Sequence, residues 1–356
     1  MKLNNMYLLL LWLVFPAQAE VSMEDKDIPF TAEFWDLAKA KVEQIDGRQA
    51  ITGSAVLTQP LFDKGIMEVS IKTNGTRSFP GIAFRSDSAG NSEDIYLRPH
   101  LSGQADAIQY APTYNQQTAW QLYYGDGYTA KLDIPTNRWI KFIIEVSGSQ
   151  ARVFVDNLNS PALSVTLLKG KSSPGKIVVS SGGDGVYMAN FRLKKMSNVN
   201  FTDAPPEKIV EGTLQKWSLS KAISVDDPAS KNLSLLHSSE WQAVEPEASG
   251  LVNVSRYRAL VNGNPSVVYA RTIIKSEKKQ RIKLEFGYSD DVTIFQNRRP
   301  LYSGRAGFKS REPQFKGLVD YNDAIYINLN SGDNEIILQL TEVFGGWGFK
   351  MRSLPE

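Results

Sequence analysis

Between Gly81 and Tyr128 the chain carries side chains suited to holding a polar, ring-shaped ligand. In Asp94-Ile95-Tyr96-Leu97-Arg98-Pro99-His100, apolar and polar residues alternate. The two-residue period of a strand sends Ile95 and Leu97 to one face and Asp94, Tyr96, Arg98 and His100 to the other. The same parity applied to Gly81-Ile82-Ala83-Phe84-Arg85 and to Ala107-Ile108-Gln109 turns Arg85 and Gln109 outward. Trp120-Gln121-Leu122-Tyr123-Tyr124-Gly125-Asp126-Gly127-Tyr128 follows, dense in aromatics and glycine. Sugars stack their C–H faces on aromatic rings while planar polar groups read the hydroxyls. An arginine adds a two-pronged donor suited to carboxylate or sulfate. The expected carbohydrate site is therefore Arg85, Tyr96, Arg98 and Gln109 with Trp120 and Tyr123. Two guanidinium groups on one face repel each other without an anion, so the expected partner is an acidic polysaccharide or oligosaccharide. Trp120 and Tyr123 have opposite parity, and at most one shares that face unless a bulge intervenes.

Other chemistries have less to work with. The chain has 0 Cys in 356 residues, which removes disulfides, thiol nucleophiles and thiolate metal sites. Its two histidines, His100 and His237, lie far apart in sequence, and no Gly-x-Ser-x-Gly turn exists for serine catalysis. The 40 basic and 38 acidic residues nearly cancel, and the basic clusters are only pairs, so no nucleic-acid partner is expected. No cofactor is expected beyond a structural calcium, for which Asp87, Asn91 and Asp94 offer hard oxygen ligands. Glu93 and Asp94 are adjacent and point to opposite faces of a strand. A catalytic carboxylate pair would have to be Asp94 with Glu68 from another strand.

The elements around these residues read as strands. Ile140, Phe142, Ile144 and Val146 alternate with polar residues, as do Ile282, Leu284 and Phe286, and Ile336, Leu338 and Leu340. Asp46-Gly47 between two such runs predicts a two-residue hairpin. Thr31 to Val42 is the one stretch with a helical reading, with Thr31 as N-cap. Many short strands without intervening helices predict an all-β chain of two tandem β-sandwich (jelly-roll) domains. The expected divisions are a signal peptide over 1–19, a sandwich over 20–193, a linker over 194–210 around Pro205-Pro206, and a second sandwich over 211–356. Lys2, the apolar run Met6 to Phe15 and Ala17-Gln18-Ala19 form the signal peptide, with cleavage after Ala19. The mature protein is then expected to be exported, periplasmic or extracellular, and not held in a membrane.

Three segments resemble the concanavalin A-like lectin/glucanase superfamily in its laminin-G-like branch. They are Leu61 to Val69, Gly81 to Arg85, and Trp139 through Val155-Asp156-Asn157, with Ala189 to Leu193 closing the stretch. The resemblance covers about residues 30 to 193 and implies a curved sandwich with ligands across its concave face or at a rim. Glucanases of that superfamily carry a Glu-x-Asp-x-Glu or Glu-x-Asp-x-x-Glu run on one strand, and this sequence has none. From about Glu211 the chain resembles a galactose-binding-like jelly roll, through Leu214 to Trp217, Val267 to Arg271 and the hairpin Asp290 to Leu301. The family's asparagine-glycine turn is here Asn297-Arg298, which predicts a longer turn of different shape. The closing Glu342-Val343-Phe344-Gly345-Gly346-Trp347-Gly348-Phe349 is expected to close a core edge. The expectation is a non-catalytic, lectin-like carbohydrate-binding protein. The alternative is a glycan-cleaving enzyme using carboxylates in the first domain's cleft, and an interaction partner within an assembly is a third reading.

Overall fold

A computed structural model describes residues 25–169, 173–194, 201, 209–233 and 241–355. The expected signal peptide, most of the expected linker with Pro205-Pro206, and His237 lie outside the described residues. Within them the chain is all β, with short 3-10 turns and no α-helix. No helix there is long and apolar enough to cross a membrane.

The first half is one continuous, curled antiparallel sheet of 14 strands. Its alternating apolar residues fold inward onto a single core, among them Phe62, Phe84, Ile95, Phe142, Ile144 and Phe191. This is the curved sandwich that the sequence resemblance implies. Thr31 to Val42 is not a helix. A short turn leads into the strand Trp35–Ile45, which pairs with Arg48–Leu57. The hairpin signal outweighs the helical one there. Asp46 (φ 50°) and Gly47 (φ 73°) both take the left-handed conformation that a two-residue turn needs.

The second half stacks a seven-stranded sheet on a four-stranded one. Trp217, Leu219, Ile294 and Leu338 meet Leu284, Phe286, Phe349 and Met351 in its core. The turn at Asn297-Arg298 is tighter than its sequence predicts. Gln296 pairs directly with Arg299, and Asn297 and Arg298 sit at φ 49° and 65°. The chain keeps the two-residue turn and places an arginine where glycine fits best.

The halves touch extensively. Ala119, Leu122 and Tyr123 from the first pack with Leu251 and Val319 from the second. The Tyr123 hydroxyl donates to Glu247 (2.7 Å) and accepts from Asn253 (3.2 Å). Arg256 bonds Glu247 (3.0 Å) and the Leu168 carbonyl (3.0 Å), and its guanidinium lies 5.0 Å from the Tyr114 ring. Beside this seam lies the site.

Candidate functional site

A cavity of about 670 Å³ opens between the halves. The first half contributes the outer face of the strand Ser92–Leu97 and its continuation. Ile95 and Leu97 are buried in the core, as the alternation requires, so Asp94, Tyr96 and Arg98 point the other way and line the cavity. Glu93, of opposite parity, is buried and accepts bonds from the Tyr110 hydroxyl and the Lys169 amide. The second half contributes Phe308, Lys316, Glu342 and Phe344.

Aromatic rings make the walls. Trp120 lies 5.9 Å from Phe308 and 6.1 Å from Phe344, so the first half's indole is flanked by two rings of the second. On the other side Phe79 packs edge-on against Tyr96 (6.1 Å) and His100 (5.3 Å). Phe344 is 57 % exposed and Phe308 37 %, which leaves ring surface open to a ligand. The C-terminal stretch thus divides its work: Trp347 and Phe349 close the core as expected, while Phe344 stands out at the cavity.

Arg98 organises the polar floor. One guanidinium nitrogen donates to Asp106 (2.7 Å), and another donates to the Tyr96 hydroxyl (3.3 Å) and to the Gln109 side-chain carbonyl. The guanidinium also lies 5.6 Å from the Trp120 ring, in cation–π range. Asp106 takes a second cation, Lys316 of the other half, at 2.8 Å. Burial is the main cause that pushes the Asp94 carboxyl up to about 6, against hydroxyl donors from Ser92 and Thr113, each at 2.5 Å. Burial also pushes Glu342 up to about 8, reinforced by nearby Asp290. Four buried atoms of cavity-lining residues, Arg98 Nε, His100 Nδ1, Asp106 Oδ1 and Glu342 Oε2, have no hydrogen-bond partner in the protein. Buried polar atoms are normally satisfied, and these four sit just behind the cavity wall, where a ligand or water reaches them only if the wall shifts.

Of the six expected carbohydrate contacts, Tyr96, Arg98 and Trp120 line the cavity and three do not. Arg85 is 2 % exposed and donates to the carbonyls of Asp63 and Gly148. Its φ of 52° breaks the strand's alternation, so parity from Phe84 no longer places it. The premise of two arginines on one open face therefore fails. Gln109 faces outward but is fully covered. Its amide donates to the carbonyls of Trp120 (2.9 Å) and Tyr123 (2.7 Å), so it holds the indole-bearing segment in place. Tyr123 serves the seam between the halves.

The alternative catalytic pair is not brought together either. Glu68 bonds Lys194 and Lys141 on a strand five positions from that of Asp94 in the sheet order, and it does not line the cavity. The calcium candidates bond to donors within the protein. Both Asp87 oxygens accept protein donors, including the Asn91 side chain, while Asp94 is held by Ser92 and Thr113. Among the described residues no cluster of three metal-ligating side chains occurs.

Sequence reading missed Asp106, Phe308, Lys316 and Glu342. No local pattern marks them, because the cavity forms only when the halves meet. Gly345-Gly346 was the available signal: a Cβ on Gly345 would sit 1.9 Å from the Gln121 side chain, so glycine marks the close approach.

No protein-family model matches the chain, and no curated protein matches it. Among solved structures, it is similar to a carbohydrate-binding module from Bacillus subtilis, at 15% identity and TM-score 0.33, over 46% of this chain and 95% of that one. It is also similar to a β-glucanase from Bacillus licheniformis, at 13% identity and TM-score 0.35, over 49% of this chain and all of that one. A third is a galectin from Caenorhabditis elegans, at 10% identity and TM-score 0.31, over 45% of this chain and 98% of that one.

Proposed function

We propose that this is an exported carbohydrate-binding protein whose ligand site is the cavity between its two halves, and that the ligand is an anionic oligosaccharide or polysaccharide segment. The observation that carries this reading is the pairing of open aromatic rings with cationic and polar side chains in one cavity. Trp120, Phe308 and Phe344 offer apolar faces for sugar C–H groups, and the lining side chains Arg77, Gln117 and Lys316 offer polar groups for hydroxyls. The charge favours an anion. Arg77, Arg98, Lys309 and Lys316 line the cavity, against the carboxyls Asp94, Asp106 and Glu342, and Glu342 stays mostly neutral at pH 7. Binding should weaken as salt screens the lysines over a Debye length of about 10 Å at 0.1 M. A glycan array spanning acidic and neutral polysaccharides tests the reading. Retention of acidic glycans that fades with salt supports it, while retention of none overturns it.

A cleaving activity has one observation in its favour. Asp94, with its pKa near 6, is suited to donate a proton, while Asp106 in the same cavity is flanked by two cations. Release of reducing ends that Asp94→Asn abolishes would establish cleavage. Bound glycan with no release leaves binding as the function.

A further inference from the structure

The Phe344 wall of the cavity rests on two buried carboxyls. The strand Gly332–Glu342 ends at Glu342, and the next residues turn back through Phe344, Gly345 and Gly346. Asp290 Oδ2 accepts the backbone N–H groups of Val343 (2.8 Å) and Phe344 (2.7 Å). The Ser289 hydroxyl donates to the other Asp290 oxygen (3.2 Å). Glu342 Oε1 accepts only the Gly346 N–H (3.0 Å), and Oε2 has no partner. Asp290 is 4 % exposed and Glu342 2 %. The further charged group that acts on the pair is Asp291, bonded to Arg305 (3.2 Å), while Lys309 and Lys316 line the same cavity as Glu342; Gln121 of the first half faces it as a neutral amide, its backbone N–H on the Gly345 carbonyl at 3.0 Å.

Two neighbouring carboxylates out of water repel strongly, so one of them retains a proton. Three donors stabilise Asp290 as the anion. Glu342 has one, and the proton belongs there.

We propose that Glu342 is a proton-controlled latch: protonated, it lets residues 342–346 seat on Asp290 and hold Phe344 against Trp120, and ionised, it releases that wall of the cavity. This rests on the cavity being the saccharide site, but the latch itself can be observed without ligand. The sign follows from linkage. Glu342 binds its proton more tightly in the seated loop (about 8) than when exposed (4.5), so seating is strongest in acid. It weakens as pH rises between those values and levels off above the higher one.

The test is backbone hydrogen exchange at Val343, Phe344 and Gly346 in the full chain without ligand, from pH 5 to 9, with each rate divided by its intrinsic rate. Wild-type protection should fall by up to about tenfold per pH unit until about pH 8 and then level off. In Glu342→Gln, which mimics the neutral acid, protection should not change with pH. Asp94 titrates in the same range and remains present in that variant, so it serves as an internal control. A flat wild-type profile, or an equal fall in Glu342→Gln, overturns the latch. Should Glu342→Gln fail to fold, Asp290→Asn decides. Removing the neighbouring charge lowers the Glu342 pKa, so the fall must end at lower pH, and an unchanged profile overturns the proposal. With an acidic glycan bound, affinity should follow the same profile. Absence of any glycan binding would sink the carbohydrate reading and leave the latch measurement standing.

Discussion

Arg98 is at once a wall of the cavity and the partner of a buried carboxylate, and the two roles predict different losses. Its parity is readable from sequence, because Ile95 and Leu97 fix the phase of the strand. Its ion pair is not, because Asp106 lies on a separate turn. An exposed arginine could be removed without loss of stability, but this one is 5 % exposed over an Asp106 that is 1 % exposed. Arg98→Ala should therefore cost about 3 kcal/mol of stability by leaving a buried carboxylate with Lys316 alone, measured by urea denaturation. Arg98→Ala consequently reports on folding as much as on ligand, and Trp120→Ala is the cleaner probe. Its ring is partly open at the cavity, and its loss should weaken saccharide binding by about 2 kcal/mol, roughly 30-fold, with little change in melting temperature. Arg85 shows where sequence parity stops: one left-handed residue at the strand end turns its side chain from the open face to the carbonyls of Asp63 and Gly148.

At the scale of elements, alternation and turn chemistry carry most of the fold. Ile140 to Val146 and Ile336 to Leu340 form strands because their apolar residues repeat every second position. Thr31 to Val42 misled because its residues permit a helix in isolation, while pairing with Arg48–Leu57 gives the strand a bonded edge along most of its length. The turn at Asn297-Arg298 shows the opposite bias, since register with the neighbouring strand forces two residues to make the turn although Arg298 resists it. A non-glycine residue in that conformation costs about 1–2 kcal/mol, and glycine gives back roughly 0.5–1 in chain entropy. Arg298→Gly should therefore stabilise the protein by about 0.5–1 kcal/mol, seen as a higher urea midpoint with an unchanged slope. A lower midpoint would mean that the weak Arg298–Glu335 pairing at 3.8 Å outweighs the backbone strain.

For the whole molecule, the division into two sandwiches is legible in the sequence, but the seam between them is not. Tyr123 is separated from Glu247, Asn253 and Arg256 by more than a hundred residues of chain, and no short-range pattern links it to them. This seam predicts that the halves unfold together, giving one calorimetric transition rather than two. Tyr123→Phe, which strips a buried hydroxyl from Glu247 and Asn253, should lower stability by about 1–2 kcal/mol. A nick between Lys194 and Lys208 should leave both halves bound to each other until denaturant is added. The cavity inherits this dependence, since Trp120 comes from one half and Phe308, Lys316 and Phe344 from the other. The most direct test of the central claim is isothermal titration of an array-selected acidic glycan into the wild-type chain, Trp120→Ala and Phe344→Ala under identical conditions. The account predicts saturable binding by the wild-type chain and at least tenfold weaker binding by each variant, one from either side of the seam. Equal affinity in all three proteins would contradict it and place the ligand elsewhere.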